Sequence, residues 1–88
     1  MRRNIKFSPD AFREYNEWIE QDKILFEKIK ELIKDISGEP FKGLGKPEPL
    51  KGNYAGFWSR RVNQEHRLIY SVNDDTINIV KCKGHYGK

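Results

Sequence analysis

Seven side chains in the second half of the chain have the chemical types needed to handle a phosphodiester. Glu48 stands between two prolines and two lysines in the stretch Lys46-Pro47-Glu48-Pro49-Leu50-Lys51. A solvated surface glutamate needs no such restricted backbone, whereas a carboxylate that must aim in one direction does. Arg61 and Arg67 bring guanidinium groups, which bind phosphate oxygens through a planar, two-pronged fork. His85 and Tyr86 lie close to the C-terminus. RNA can be cut without an external water or a metal when its own 2′-hydroxyl attacks the adjacent phosphate. That reaction needs a base for the hydroxyl proton, an acid for the leaving 5′-oxygen and cations for the charge that builds on phosphorus. Glu48 can serve as the base or order it, His85 as the acid, and Arg61 and Arg67 as the phosphate clamp. Lys46 and Lys51 would draw in the strand, and Tyr86 offers a phenol and a stacking surface for an exposed base.

Each of these residues also has a plainer reading. Glu48 can be a loop carboxylate and His85 a solvated tail residue. Arg67 can pair with Glu65 or Asp74. His66, beside Glu65 in a short connection, is read as structural, and Phe57 and Trp58 as core. No metal site is expected, because His66 and His85 are far apart and no carboxylates stand at ligand spacing. No glycine-rich phosphate loop or other cofactor motif occurs. Spacing alone therefore reaches a basic domain that binds or cuts RNA.

The elements that must position these residues follow from composition and periodicity. The 88 residues are read as one domain, 1–88, with hydrophobic residues at 36% and charged residues at 34%, enough bulk for a packed core. Residues 1–40 hold 8 Lys/Arg against 9 Asp/Glu, and residues 41–88 hold 9 against 4. The net charge of +4 thus resides in the second half, which is the expected face for a polyanion. The single cysteine, Cys82, excludes an internal disulfide and fits a reducing cytoplasm. The basic N-terminus is followed by no apolar signal core, and no apolar run reaches membrane-spanning length.

Asn4 to Phe7 reads as a short strand. Ser8-Pro9 is a helix start signal, and Ala11, Phe12, Tyr15, Trp18 and Ile19 give helical spacing over 9–20. Asp22 caps a second helix with an apolar stripe of Leu25, Ile29, Leu32, Ile33 and Ile36, ended by Gly38 and Pro40. A long irregular loop is expected from Phe41 to Gly56. Three strands follow, at 57–62, 67–72 and 77–83, joined by short polar connections. The order predicts an α+β fold, β-α-α-β-β-β, with both helices on one face of a mostly antiparallel sheet.

Period-two alternation sorts the strands. Leu68, Tyr70 and Val72 are assigned to the core, with Arg67, Ile69 and Ser71 on the other face. Val80 and Cys82 are expected to look inward, and Lys81, Lys83 and His85 outward. Arg61 joins the outer face if the first hairpin register permits.

The combination "KGLGKPEPLKGNYAGFWSRRVNQEHRLIYSV" with a later "VKCKGHYGK" resembles the YoeB/Txe toxins of the RelE superfamily, from bacterial type II toxin–antitoxin systems. The likeness extends through "YNEWIEQDK" and "KIKELIKDI" over nearly the whole chain. It implies a microbial-RNase-like RelE/YoeB fold. It also implies a metal-independent mRNA endoribonuclease that acts in the ribosomal A site and leaves a 2′,3′-cyclic phosphate or its 3′-phosphate product. By that resemblance Glu48 is the general base, Arg67 stabilises the transition state, His85 is the general acid and Tyr86 orients substrate. Lys51 and Arg61 line the same cleft. The resemblance further implies a YefM/Axe-type antitoxin that folds on docking, and toxin homodimers. The family often stops at or near the tyrosine, whereas Gly87 and Lys88 follow here, so a role of Tyr86 that needs a free carboxylate would not carry over. Alternatives are a ribosome-independent RNase, a non-catalytic gyrase-poisoning toxin of the ParE type, and an inert interaction protein.

Overall fold

The computed structural model of the chain describes residues 3–84. Strand β1 (Asn4–Phe7) leads directly into helix α1 (Pro9–Gln21), where the Ser8 hydroxyl accepts from the Ala11 N–H at 3.1 Å and Pro9 opens the first turn. Asp22 then serves both helices. Its backbone N–H closes on Trp18 O at 2.9 Å to end α1, and its carboxylate accepts from Leu25 N at 3.1 Å to start α2 (Lys23–Gly38). One residue thus makes the corner between two helices.

Helix α2 buries Ile29, Leu32 and Ile36 fully, with Leu25 and Ile33 packed alongside, as its periodicity predicts. Helix α1 differs from expectation. Ala11 and Trp18 are buried and Tyr15 packs on the core, but Phe12 and Ile19 are exposed. The inward position between Ala11 and Trp18 is taken by Glu14, whose carboxylate accepts from the Cys82 N–H at 2.8 Å.

The sheet has five strands in the order β1-β5-β4-β3-β2. Strands β3 (Trp58–Arg61), β4 (Arg67–Val72) and β5 (Thr76–Lys81) form the expected meander. β1 runs parallel to β5 and the remaining pairs are antiparallel. The loop expected over 41–56 is not wholly irregular. It contains a two-residue strand, β2 (Glu48–Pro49), paired to β3, and a single 3₁₀ turn at Gly52–Tyr54.

Leu68 and Tyr70 are fully buried under the helices, with Val72 packed beside them, and Trp58 joins this core. On β5 the parity differs from the sequence reading. Ile77 and Ile79 are the core residues, and Val80 is only half-buried and outside the core cluster. A β-bulge is the reason: Tyr70 pairs with Ile79, but Ile69 pairs with Lys81, so Val80 is the extra residue. The bulge resets the alternation, and Cys82 returns inward as predicted.

Candidate active site

The face of the sheet away from the helices carries Glu48, Arg61 and Arg67, three of the predicted residues, in two adjacent rows. Glu48 pairs with Ser59, Ser59 with Ile69, and Ile69 with Lys81, one residue from each of four strands. Two residues along β3, Arg61 pairs directly with Arg67. The Arg67 N–H donates to Gly84 O at 2.9 Å, which extends this second row to the residue before His85. With strands about 4.8 Å apart and about 3.4 Å per residue, the α-carbons of Glu48 and Arg67 are separated by roughly 12 Å. That span suits two long side chains reaching toward one phosphodiester between them. The floor is compact: Ser59 and Ile69 are buried even though they lie on the open face, with the charged residues standing around them.

Glu48 is exposed on an edge strand, and prolines on both sides leave no donor to pair with another strand. Within the described residues its carboxylate makes no hydrogen bond or ion pair, not even with Lys46 or Lys51. The backbone is turned into β2 at Lys46, a non-glycine residue at φ 53, immediately after Gly45 O accepts from Arg61 N at 2.7 Å. Such a backbone is unfavourable for a residue before proline and persists only where the surroundings impose it. Leu50, buried, closes the segment through Leu50 N to Phe57 O at 2.9 Å.

The surroundings that impose it centre on Arg60, which the sequence reading did not single out. Arg60 faces the core and is fully buried. Its guanidinium donates to Asp35 at 2.5 Å, to the carbonyls of Leu44, Glu39 and Lys42 at 3.0, 2.8 and 3.0 Å, and to the Tyr70 hydroxyl at 3.2 Å. Tyr70 in turn donates to Pro40 O at 2.7 Å. One buried fork therefore straps residues 39–44 to the sheet and sets the entry to the Glu48 segment. The hydrogen bond from Arg60, helped by the Leu44 N–H, holds the Asp35 carboxyl below its ordinary value, and burial pushes the Tyr70 phenol up. Gly43 sits at φ 122 against this cluster, where a Cβ would lie 2.1 Å from Asp35 Oδ2.

Arg67 is half-buried and does not pair with Glu65 or Asp74. Its Nη1 donates to the carbonyls of Asn63, His66 and Gln64 at 2.6, 3.1 and 3.4 Å. The hairpin loop thus grips the guanidinium by one nitrogen, and within the described residues Nε and Nη2 make no hydrogen bond. Arg61 is exposed and, with Lys46 and Lys28 of α2, lines a shallow depression of about 390 Å³. Lys51 is exposed at the far end of the Glu48 segment. Lys81 lies on the open face as expected, but Lys83 does not: its ammonium turns back to Glu17 at 2.9 Å and Gln21 at 2.8 Å of α1, over the Trp18 ring. That bond holds the Glu17 carboxyl below its ordinary value. Strand β5 ends at Lys81, so Lys83 lies past the strand, where alternation no longer sets its direction and the α1 acceptors do. His85 and Tyr86 lie outside the described residues. His66 is structural, as read: its Nδ1 accepts from Gly84 N at 2.8 Å and its ring meets Trp18 edge-on. Among the described residues no cluster of His, Cys, Asp and Glu could hold a metal ion, and no helix is long and apolar enough to cross a membrane.

Fold and site together define a class: a small basic α+β domain whose open sheet face sets two arginines and a lysine beside one exposed carboxylate. The family model for the YoeB-like toxin of bacterial type II toxin–antitoxin systems matches residues 7–86. The toxin YoeB of Escherichia coli K12 is 52% identical over 80 residues, covering 91% of this chain and 95% of that protein. The YoeB dimer from Staphylococcus aureus superposes with a TM-score of 0.89 at 49% identity, covering 98% of this chain and all of the other. The toxin in the heterotetrameric YoeB–YefM complex of the same organism superposes at 0.87, also at 49% identity and covering 98% of this chain and all of the other. The chain belongs to the YoeB-like toxin family.

Proposed function

We propose that this toxin is a metal-independent endoribonuclease that cuts mRNA in the ribosomal A site and so stops translation. Glu48 takes the proton from the 2′-hydroxyl, whose oxygen attacks the adjacent phosphorus. The bond from phosphorus to the 5′-oxygen breaks, His85 gives that oxygen a proton, and a 2′,3′-cyclic phosphate remains on the upstream fragment. Arg67 and Arg61 hold the phosphate oxygens as charge develops, Tyr86 orients the nucleotide, and Lys46 and Lys51 guide the strand. The toxin acts in the cytoplasm and is neutralised by a YefM-type antitoxin. The YoeB–YefM complex and the YoeB dimer of S. aureus support such an antitoxin partner and pairing of the toxin with itself.

The observation that carries this reading is the pair of rows on the open face. Glu48 stands in one, and Arg61 and Arg67 in the next, which ends at Gly84, the residue before His85. The test adds purified wild type and His85→Ala to a translating extract and to bare mRNA, with cut sites mapped by primer extension. Cuts that need ribosomes and vanish in the variant are expected. Equal cutting of bare RNA would instead mean a free RNase. Growth arrest with no cutting in either would mean a gyrase-poisoning toxin.

A further inference from the structure

The three residues before His85 are clasped from two sides. On one side α1 holds Cys82 by both backbone groups, through Glu14 to its N–H at 2.8 Å and Trp18 to its carbonyl at 2.9 Å. On the other, Gly84 donates to His66 Nδ1 at 2.8 Å and accepts from Arg67 N at 2.9 Å. Gly84 has φ 83, a left-handed conformation that only glycine adopts freely, and it has no side chain to fix its own direction. Its orientation therefore depends on those two hydrogen bonds.

His66 is itself held on several sides. Its N–H donates to Asn63 Oδ1 at 2.7 Å, its carbonyl accepts from Arg67 Nη1 at 3.1 Å, and its ring centroid lies 4.8 Å from that of Trp18. An N–H donated to Nδ1 requires a lone pair there, so the ring is neutral with its proton on Nε2. Glu65 Oε1, 3.7 Å from Nε2, lies on the side that favours that tautomer.

We propose that His66 is a positioning residue for the reaction: its neutral imidazole locks the Gly84 peptide and thereby delivers His85 to the phosphate held by Arg67. This rests on the functional reading above. His66 joins the two groups physically, because the same residue offers its carbonyl to the Arg67 guanidinium and its ring nitrogen to the residue before His85. Without the acceptor the Gly84 peptide can rotate, and a small displacement of a proton donor is enough to slow the step by about 10- to 100-fold.

The test uses the full chain on programmed ribosomes under single-turnover conditions. His66→Phe keeps an aromatic ring against Trp18 but removes the acceptor. His66→Asn places an amide oxygen near the Nδ1 position. Hydrogen exchange at the Gly84 amide and the ring nitrogen shifts of His66 are read by NMR. His66→Phe is expected to lower the maximal rate by about 10- to 100-fold, with half-saturation changed less than about threefold, and to deprotect Gly84. His66→Asn is expected to recover most of both, and the wild-type nitrogen shifts are expected to show Nδ1 carrying no proton, as its acceptance from Gly84 N requires. A His66→Phe protein at wild-type rate overturns the proposal. So does a slow one with Gly84 still protected, or an Asn variant that restores protection but not rate. A wild type with Gly84 protected that cuts no RNA overturns the functional reading instead, and the positioning role of His66 falls with it.

Discussion

Arg61 and Arg67 stand directly opposite each other across β3 and β4, two like charges in register on the open face of the sheet. Directly opposed like charges destabilise a sheet by up to about 1 kcal/mol. A stability cost at this position is understandable where an anion is to be shared between the two side chains. Arg61→Ser is therefore expected to leave thermal stability unchanged or slightly raised, while weakening RNA binding. The slope of log affinity against log salt should become shallower by about 0.7 for one lost contact to single-stranded RNA. Calorimetric melting and salt titrations check both halves, and a destabilised variant with an unchanged slope would show that Arg61 is structural.

Arg67→Lys is expected to be more severe than Arg61→Ser. Lysine keeps the charge but cannot hold the Asn63, Gln64 and His66 carbonyls with one nitrogen while presenting others to phosphate. Single-turnover cleavage should fall with melting little altered. Full rate at unchanged melting would mean that no two-pronged phosphate contact is made.

The Arg60–Asp35 strap makes a prediction about pH. Asp35 is held below its ordinary value of 3.8, so its contribution is fully present above that value. It is lost as the pH falls below 3.8 through the lower value of the folded state. Wild-type stability in urea should decline in that acid range, and Asp35→Asn should flatten the decline. At neutral pH Asp35→Asn should cost roughly 2–3 kcal/mol, less than a wholly buried pair because the Asp35 side chain is 33% exposed. Identical acid slopes for the two proteins would rule out Asp35 as the source. Because the strap sets the entry to the Glu48 segment, cleavage should fall too, even where the variant is folded.

Cys82 is fully buried, and burial with Glu14 nearby pushes its thiol up to about 12. In the native protein at pH 8 it should resist alkylation, with labelling appearing only on unfolding. Rapid native labelling would mean that the segment leading to His85 opens readily, contrary to the clasp formed by Glu14 and Trp18.

Local signals were the ones that could be read along the chain. Ser8-Pro9 and Asp22 announce helix starts because a cap is made by residues three apart. The short polar connection at 63–66 announces a hairpin, though alternation leaves open the register that sets Arg61 opposite Arg67. What could not be read depends on distant partners. In Ser59-Arg60-Arg61 alternation requires one arginine to face inward, but its acceptors include Asp35, 25 residues upstream. β2 is too short to show periodicity, so Glu48 looked like a loop residue. The single extra residue at Val80 turned Val80 away from the core, and Lys83, past the end of β5, is drawn to Glu17 and Gln21, 66 and 62 residues upstream. His66 looked like an ordinary hairpin histidine because Gly84, its partner, is 18 residues away and carries no side chain.

The most direct measurement places one 2′-deoxynucleotide immediately 5′ of the scissile phosphate in a ribosome-bound mRNA and follows single-turnover cleavage beside the all-ribose message. Attack by the 2′-hydroxyl, with Glu48 as its base, requires that the deoxy message stay intact while the ribose message yields a 2′,3′-cyclic phosphate end. Cleavage of both at the same rate would mean that water or another nucleophile attacks, and that the carboxylate held beside Arg61 and Arg67 has a different task.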